Sequence, residues 1–185
     1  MTELPYLPKA SALPGAHDPS RAEPWMERWS AAAAATAHPA VGDLAQDLTQ
    51  TPEGQRLLQA IFANSPFLSH CLIADIGLLA DVLKQGPQAV LENVLGGLRD
   101  AAAASDQAAL MKGLRVCRRR AAFAIAFADI AGLWDVVAVT RALSDFADAA
   151  VEAALAATLR LAAARGELAL GDAAAPTRVC GIAVL

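Results

Sequence analysis

The chain has 185 residues, 56% of them hydrophobic but only 5% aromatic, and about a quarter are alanine; this suits one domain with a tail, is long enough to bury a core, and favours helices packed closely on small side chains over a sheet of branched residues. The net charge of −4 gives no global pull towards nucleic acid, and Cys71, Cys117 and Cys180 form no C-x-x-C pair, so they read as reduced thiols of a cytoplasmic protein and not as a zinc site or a disulfide framework. Mean hydropathy is +0.38, but the best candidate span, Ala121 to Leu133, is interrupted by Asp129 and falls short of the roughly 20 apolar residues a membrane crossing needs; a buried helix is expected, with no secretory signal in MTELPYLPKASALPG.

Residues 1–23 carry Pro5, Pro8, Pro14 and Pro19, which remove donors and oppose helix, so an extended or disordered arm is expected. Helical pattern begins near Pro24, with Trp25, Met26 and Trp29 at helical spacing, and continues to about His38, where Pro39 should stop it. The next helix opens near Thr51: Thr51 can cap, Pro52 suits the first helical position, and Glu53 favours the positive helix end. Leu57, Leu58, Ile61 and Phe62 then form an apolar stripe.

Ser65 and Pro66 repeat that start, and Phe67, Leu68, Cys71, Leu72, Ile76, Leu79 and Leu83 follow at helical spacing. The spacing predicts one helix ending at Gly86-Pro87. Another runs from about Gln88 to Ala104, weakened by Gly96-Gly97. Ser105-Asp106 opens the longest section, with one helix to about Ala131, ended by Gly132. A second runs from Asp135 to about Arg165, closed by Gly166. The two should form an antiparallel hairpin.

The helical domain therefore covers 24–170, followed by a small-residue linker at 171–178. Residues 179–185 (Val179, Cys180, Gly181, Ile182, Ala183, Val184, Leu185) are apolar throughout, as in a strand buried on both faces. One strand cannot satisfy its own backbone, and no partner strand lies upstream. The fold class is all-α, a helical bundle with a long C-terminal hairpin, then a strand that would enter a missing domain.

Two charged sets draw notice. Arg115, Arg118, Arg119 and Arg120, extended by Lys112, crowd one helical segment, and unpaired burial of such charges is costly. They read as a solvated face, as a salt-bridged contact surface, or, last, as a phosphate or nucleic-acid contact, since the patch is short and has no interleaved aromatics. Beyond the turn come Asp129, Asp135, Asp145, Asp148 and Glu152, the last three on one helical face. These could hold a metal. With no histidine beside them, pairing with the arginines across the hairpin is preferred. No nucleophile elbow, Walker loop, dinucleotide loop, zinc or kinase signature is present, so no residue is assigned as catalytic, cofactor-binding or metal-binding.

Several stretches, in order, resemble the bifunctional glutamine synthetase adenylyltransferase/adenylyl-removing family. Asn64-Ser65-Pro66-Phe67-Leu68 resembles its NSP-aromatic-L element. Leu110-Met111-Lys112-Gly113-Leu114-Arg115 through Arg118-Arg119-Arg120 resembles its LR-x-x-RRR helix. Gly132-Leu133-Trp134-Asp135, Val139-Thr140, Leu143-Ser144 and Ala147-Asp148 resemble the helix that follows, and Gly181 to Leu185 resembles the strand before its GMGKLG loop. The resemblance covers roughly residues 55–185 and implies a nucleotidyltransferase parent. That parent would use Mg2+ with ATP or ADP to add AMP to glutamine synthetase and remove it, under a nitrogen-signalling regulatory protein. The glycine-rich loop and metal-binding aspartates would lie beyond Leu185, in missing C-terminal catalytic domains, so no catalytic residue carries over and no cofactor is expected in this chain. The four arginines become the candidate interdomain contact. Two alternatives stay open: a stand-alone helical protein-interaction module, and an RNA- or phosphate-binding helix centred on Arg115 to Arg120.

Overall fold

The computed structural model describes residues 3–16, 18–104, 106–172 and 174–178. Among these residues the regular structure is helical, with eight α-helices and three short 3-10 turns and no strand, as expected for the all-α class. The apolar heptapeptide 179–185, expected as a strand, lies outside the described residues.

The first half is built from short helices, most of them opened by proline. They are α1 (Glu23–Ala35), α2 (Pro39–Gln50), α3 (Pro52–Asn64), α4 (Pro66–Ala74) and α5 (Gly77–Gln85). A proline costs nothing in the first helical turn, where its missing N–H would have no intrahelical partner. The residue before each proline is pushed out of the helical region: His38, Thr51 and Ser65 are all extended. Thr51 and Ser65 cap as anticipated, their hydroxyls accepting from the amides of Gly54 at 3.3 Å and Leu68 at 3.2 Å.

Two expectations need correction here. Pro39 ends α1, but it also begins α2, a helix that the sequence reading passed over. Val41, Leu44, Ala45 and Leu48 recur at helical spacing there, and the last three are buried. The single helix expected from Pro66 to Leu83 is two helices bent by 97°. Asp75 ends α4 in a non-helical conformation, yet the apolar residues on both sides still reach one core, so their spacing hides the break.

That core gathers Trp29, Leu57, Leu58, Phe62, Leu72, Leu78, Leu79 and Leu83, all essentially inaccessible to water. Trp29 donates its indole Nε1–H to the Ala45 carbonyl at 3.0 Å, which satisfies its one polar atom inside the core. The arm before α1 is extended, with two 3-10 turns, and lies against this cluster. Leu13 is buried, Arg56 donates to the carbonyls of Leu13 and Pro14, and the Tyr6 amide donates to the Leu83 carbonyl. The Tyr6 ring occupies the place a Cβ on Gly86 would need. Gly86 also has φ +87°, which favours glycine twice over.

The second half is a bundle of three longer helices, α6 (Pro87–Ala102), α7 (Gln107–Ile130) and α8 (Val136–Ala164), each packed on the other two. Asp106 and Asp135 cap α7 and α8, each accepting a backbone amide at 2.8 Å. Gly132 at φ +65° and Gly166 at φ +74° end them, with the Leu133 amide donating to Ala128 and the Glu167 amide to Ala162. Small residues set the spacing: a Cβ on Gly113 of α7 would stand 2.8 Å from the Ala101 Cβ of α6. After α8, a 3-10 turn at Pro176–Arg178 docks back on that helix, and Thr177 donates to Glu152. Among the described residues no single helix is long and apolar enough to cross a membrane.

Candidate functional site

Helix α7 serves both cores, and this determines where its arginines go. Cys117, Ala121 and Ile125 face α6 and α8, whereas Phe123 and Phe127 enter the N-terminal core. Arg120 lies one turn before Phe123 and so points at the bend between α4 and α5. There its Nη1 donates to Asp75 at 2.8 Å and its Nη2 to Asp81 at 2.5 Å. Burial opposes the Arg120 charge, but the hydrogen bond to Asp81 and the fields of both aspartates overcome it, and its pKa is raised. The guanidinium thus ties the α4–α5 corner to α7.

Arg115, Arg118 and Arg119 have no ion pair among the described residues. They line a cleft of about 320 Å³ whose other wall is Phe67, His70, Cys71 and Ala74 of α4. The Arg119 Nε is buried and meets no hydrogen-bond partner. Phe67 is 50% exposed at the edge of the cleft. His70 stands edge-on to Trp25 of α1 at 4.7 Å, and Arg28 covers the Trp25 ring at 4.9 Å. Burial raises the Cys71 thiol pKa, while the charges of Arg119 and Arg118 oppose it.

The acidic set does not meet the arginines. Antiparallel pairing was expected from position along the hairpin, but the rotation of α7 about its axis turns the arginines towards α4 and α5, away from α8. Asp135 is instead the cap of α8, and Glu152 accepts from Thr177. Asp145 and Glu152 border a groove between α6 and α8 with Arg99 and Arg160. Asp129 and Asp148 are exposed. No group of three His, Cys, Asp or Glu side chains able to hold a metal ion occurs among the described residues.

Sequence reading missed Asp75, Asp81, Phe67 and His70 as neighbours of the arginines. Nothing local signals these contacts. Only the bend between α4 and α5, and the packing of α4 on α7, brings them together.

The fold and site define a helical module with a basic cleft between α4 and α7. A model described as glutamate-ammonia ligase adenylyltransferase matches residues 55–184. The chain is 40% identical over 138 residues to a bifunctional glutamine synthetase adenylyltransferase/adenylyl-removing enzyme of Xanthobacter autotrophicus, covering 75% of this chain and 14% of that protein. It is 36% identical over 175 residues to the protein of that name from Bradyrhizobium sp. (94% and 17% covered), and 35% over 176 residues to one from Rhodopseudomonas palustris (95% and 18%). The chain belongs to the glutamate-ammonia ligase adenylyltransferase family. It spans 14 to 18% of the length of these relatives. No solved structure matches it.

Proposed function

We propose that these residues are the N-terminal helical part of an enzyme that adds AMP to glutamine synthetase and removes it, and that they act as a scaffold for catalytic domains elsewhere in the polypeptide. The single observation that carries the reading is the family match across residues 55–184, which includes both long helices and the arginine cluster. The relatives' greater length leaves ample polypeptide for the chemistry.

A magnesium–nucleotide site is assigned to those other domains, because the carboxylates present here do not fit one. Asp75 and Asp81 converge, but Arg120 already satisfies them. Asp145, Asp148 and Glu152 follow one helix face, with Glu152 engaged by Thr177. Arg115, Arg118 and Arg119 are the contact surface towards the rest of the enzyme, while Arg120 holds this module's own corner together. A nitrogen-signalling protein would act on the whole enzyme.

The test reads the coding sequence beyond Leu185 and, where it continues, compares the 185-residue chain with the longer polypeptide. With ATP, Mg2+ and glutamine synthetase, the longer protein is expected to transfer AMP, and with phosphate to remove it. The chain by itself should do neither. Robust AMP removal by the chain would overturn the assignment of the active site to other domains. A stand-alone interaction module would instead require that the reading frame end at Leu185.

A further inference from the structure

The cleft between α4 and α7 has a chemical bias that the contact role alone does not specify. Three guanidinium groups converge on it without a carboxylate among the described residues, in a chain whose net charge is −4. Asp75, which follows the lining residue Ala74 in the sequence, and Asp81 are held by Arg120. The buried Arg119 Nε–H has no acceptor, and leaving such a donor unmet is costly. Planar guanidinium groups match carboxylates through paired N–H···O bonds. Beside them stands the exposed Phe67 ring, with Ala74 also in the wall. A half-exposed aromatic next to arginines is the composition of an interface centre.

We infer that this cleft docks an acidic peptide segment from outside these 185 residues, its carboxylates on Arg115, Arg118 and Arg119 and an apolar side chain against Phe67. The inference deepens the contact role proposed above and rests on that reading for the segment's location, not for its chemistry. Nucleic acid fits less well. A cleft of about 320 Å³ holds a few side chains and not a run of stacked bases. The Trp25 face that a base would need is already covered by Arg28.

The experiment measures fluorescence anisotropy of a fluorescein-labelled peptide of four glutamates around one leucine, titrated with the 185-residue protein at low salt. A peptide with glutamine in place of each glutamate is the comparison. Binding of the glutamate peptide alone is expected. It should weaken about tenfold or more in the double variant Arg115→Gln/Arg118→Gln and a few-fold in Phe67→Ala. Arg141→Gln, an exposed arginine on α8, should leave it unchanged. Circular dichroism verifies folding. If the double variant does not fold, Phe67→Ala and the loss of binding in added salt carry the test. Equal binding of both peptides, indifference to these substitutions, tighter binding of oligouridylate, or occupation of the cleft by a second copy of the chain, seen as self-association abolished by Arg118→Gln, would each overturn the proposal. Because the assay involves no AMP transfer, its failure refutes the cleft without touching the enzyme reading. An inactive longer polypeptide would refute the enzyme reading without touching the cleft.

Discussion

From α1 to α5 the core is centred on large side chains, Trp29, Phe62, Leu57, Leu58, Leu79 and Leu83, with alanines such as Ala33, Ala45, Ala60 and Ala63 between them. From α6 to α8 it is made largely of small and medium ones: Ala121, Ala142 and Ala153 with Leu91, Val94, Leu98 and Ile125. The first region uses short helices, two of them bent by 97° at Asp75, and large side chains fill the space between them. The second uses long helices that run close together, so small side chains suffice and each position tolerates little added volume. Deletion should therefore cost most at the large side chains of the first region, while insertion should be costly in both, since a Cβ on Gly42 would stand 2.8 Å from the Ala33 carbonyl oxygen in the first and one on Gly113 2.8 Å from the Ala101 Cβ in the second.

The largest effect is expected from Trp29→Ala, which empties a fully buried site and removes the indole's hydrogen bond to the Ala45 carbonyl; about 3–5 kcal/mol of stability should be lost in urea unfolding. In the second region the sharper probe is Ala121→Leu, at a position with no accessible surface, expected to cost about 1–3 kcal/mol through overpacking. If Ala121→Leu were neutral, the close packing of the second core on small side chains would be refuted. Arg120→Gln tests the tie between the regions. It strands Asp75 and Asp81, but these groups are partly exposed, so the loss should be about 1–2 kcal/mol, less than for a fully buried pair. Removing one helix start from each region, by Thr51→Ala and Asp135→Ala, should cost about 1 kcal/mol apiece. Equality of these two would show that capping is local and independent of the core behind it.

The smallest effect concerns pH. Burial pushes the thiols of Cys71, in the first core, and Cys117, in the second, above their ordinary 9.0. A raised folded-state pKa means that the unfolded chain loses its protons first as pH rises. Their contribution is thus fully present below about pH 9 and is lost on going through the folded values. Urea midpoints should fall from pH 8 to pH 10, and less steeply in Cys71→Ala/Cys117→Ala; identical slopes would remove these thiols from the account.

Helix starts were the most legible feature in the sequence. Thr51-Pro52, Ser65-Pro66, Asp106 and Asp135 each combine a capping side chain with a compatible first turn, and all four begin helices. Glycine after a periodic stretch was equally informative at Gly132 and Gly166. Pro39 misled because proline ends one helix and opens the next by the same steric rule, and the weaker apolar pattern after it did not compel a second helix. The bend at Asp75 was invisible because periodicity records which residues are buried, not whether the axis between them is straight. The arginine cluster was legible as a charged helical face, but its division into one internal tie and three cleft-lining groups was not.

The sequence by itself determined the all-α class, most helix boundaries, the membership implied by its ordered motifs and the presence of a concentrated basic segment. These depend on neighbouring residues: capping, proline geometry, glycine at positive φ and spacing along one helix. Only the tertiary structure decided that Arg120 meets Asp75 and Asp81, that Arg115, Arg118 and Arg119 face Phe67 and His70, and that the acids of α8 turn elsewhere. Those outcomes depend on how far each helix is rotated about its own axis. That rotation is set by the competition of two cores for the faces of α7, which no local stretch of sequence contains.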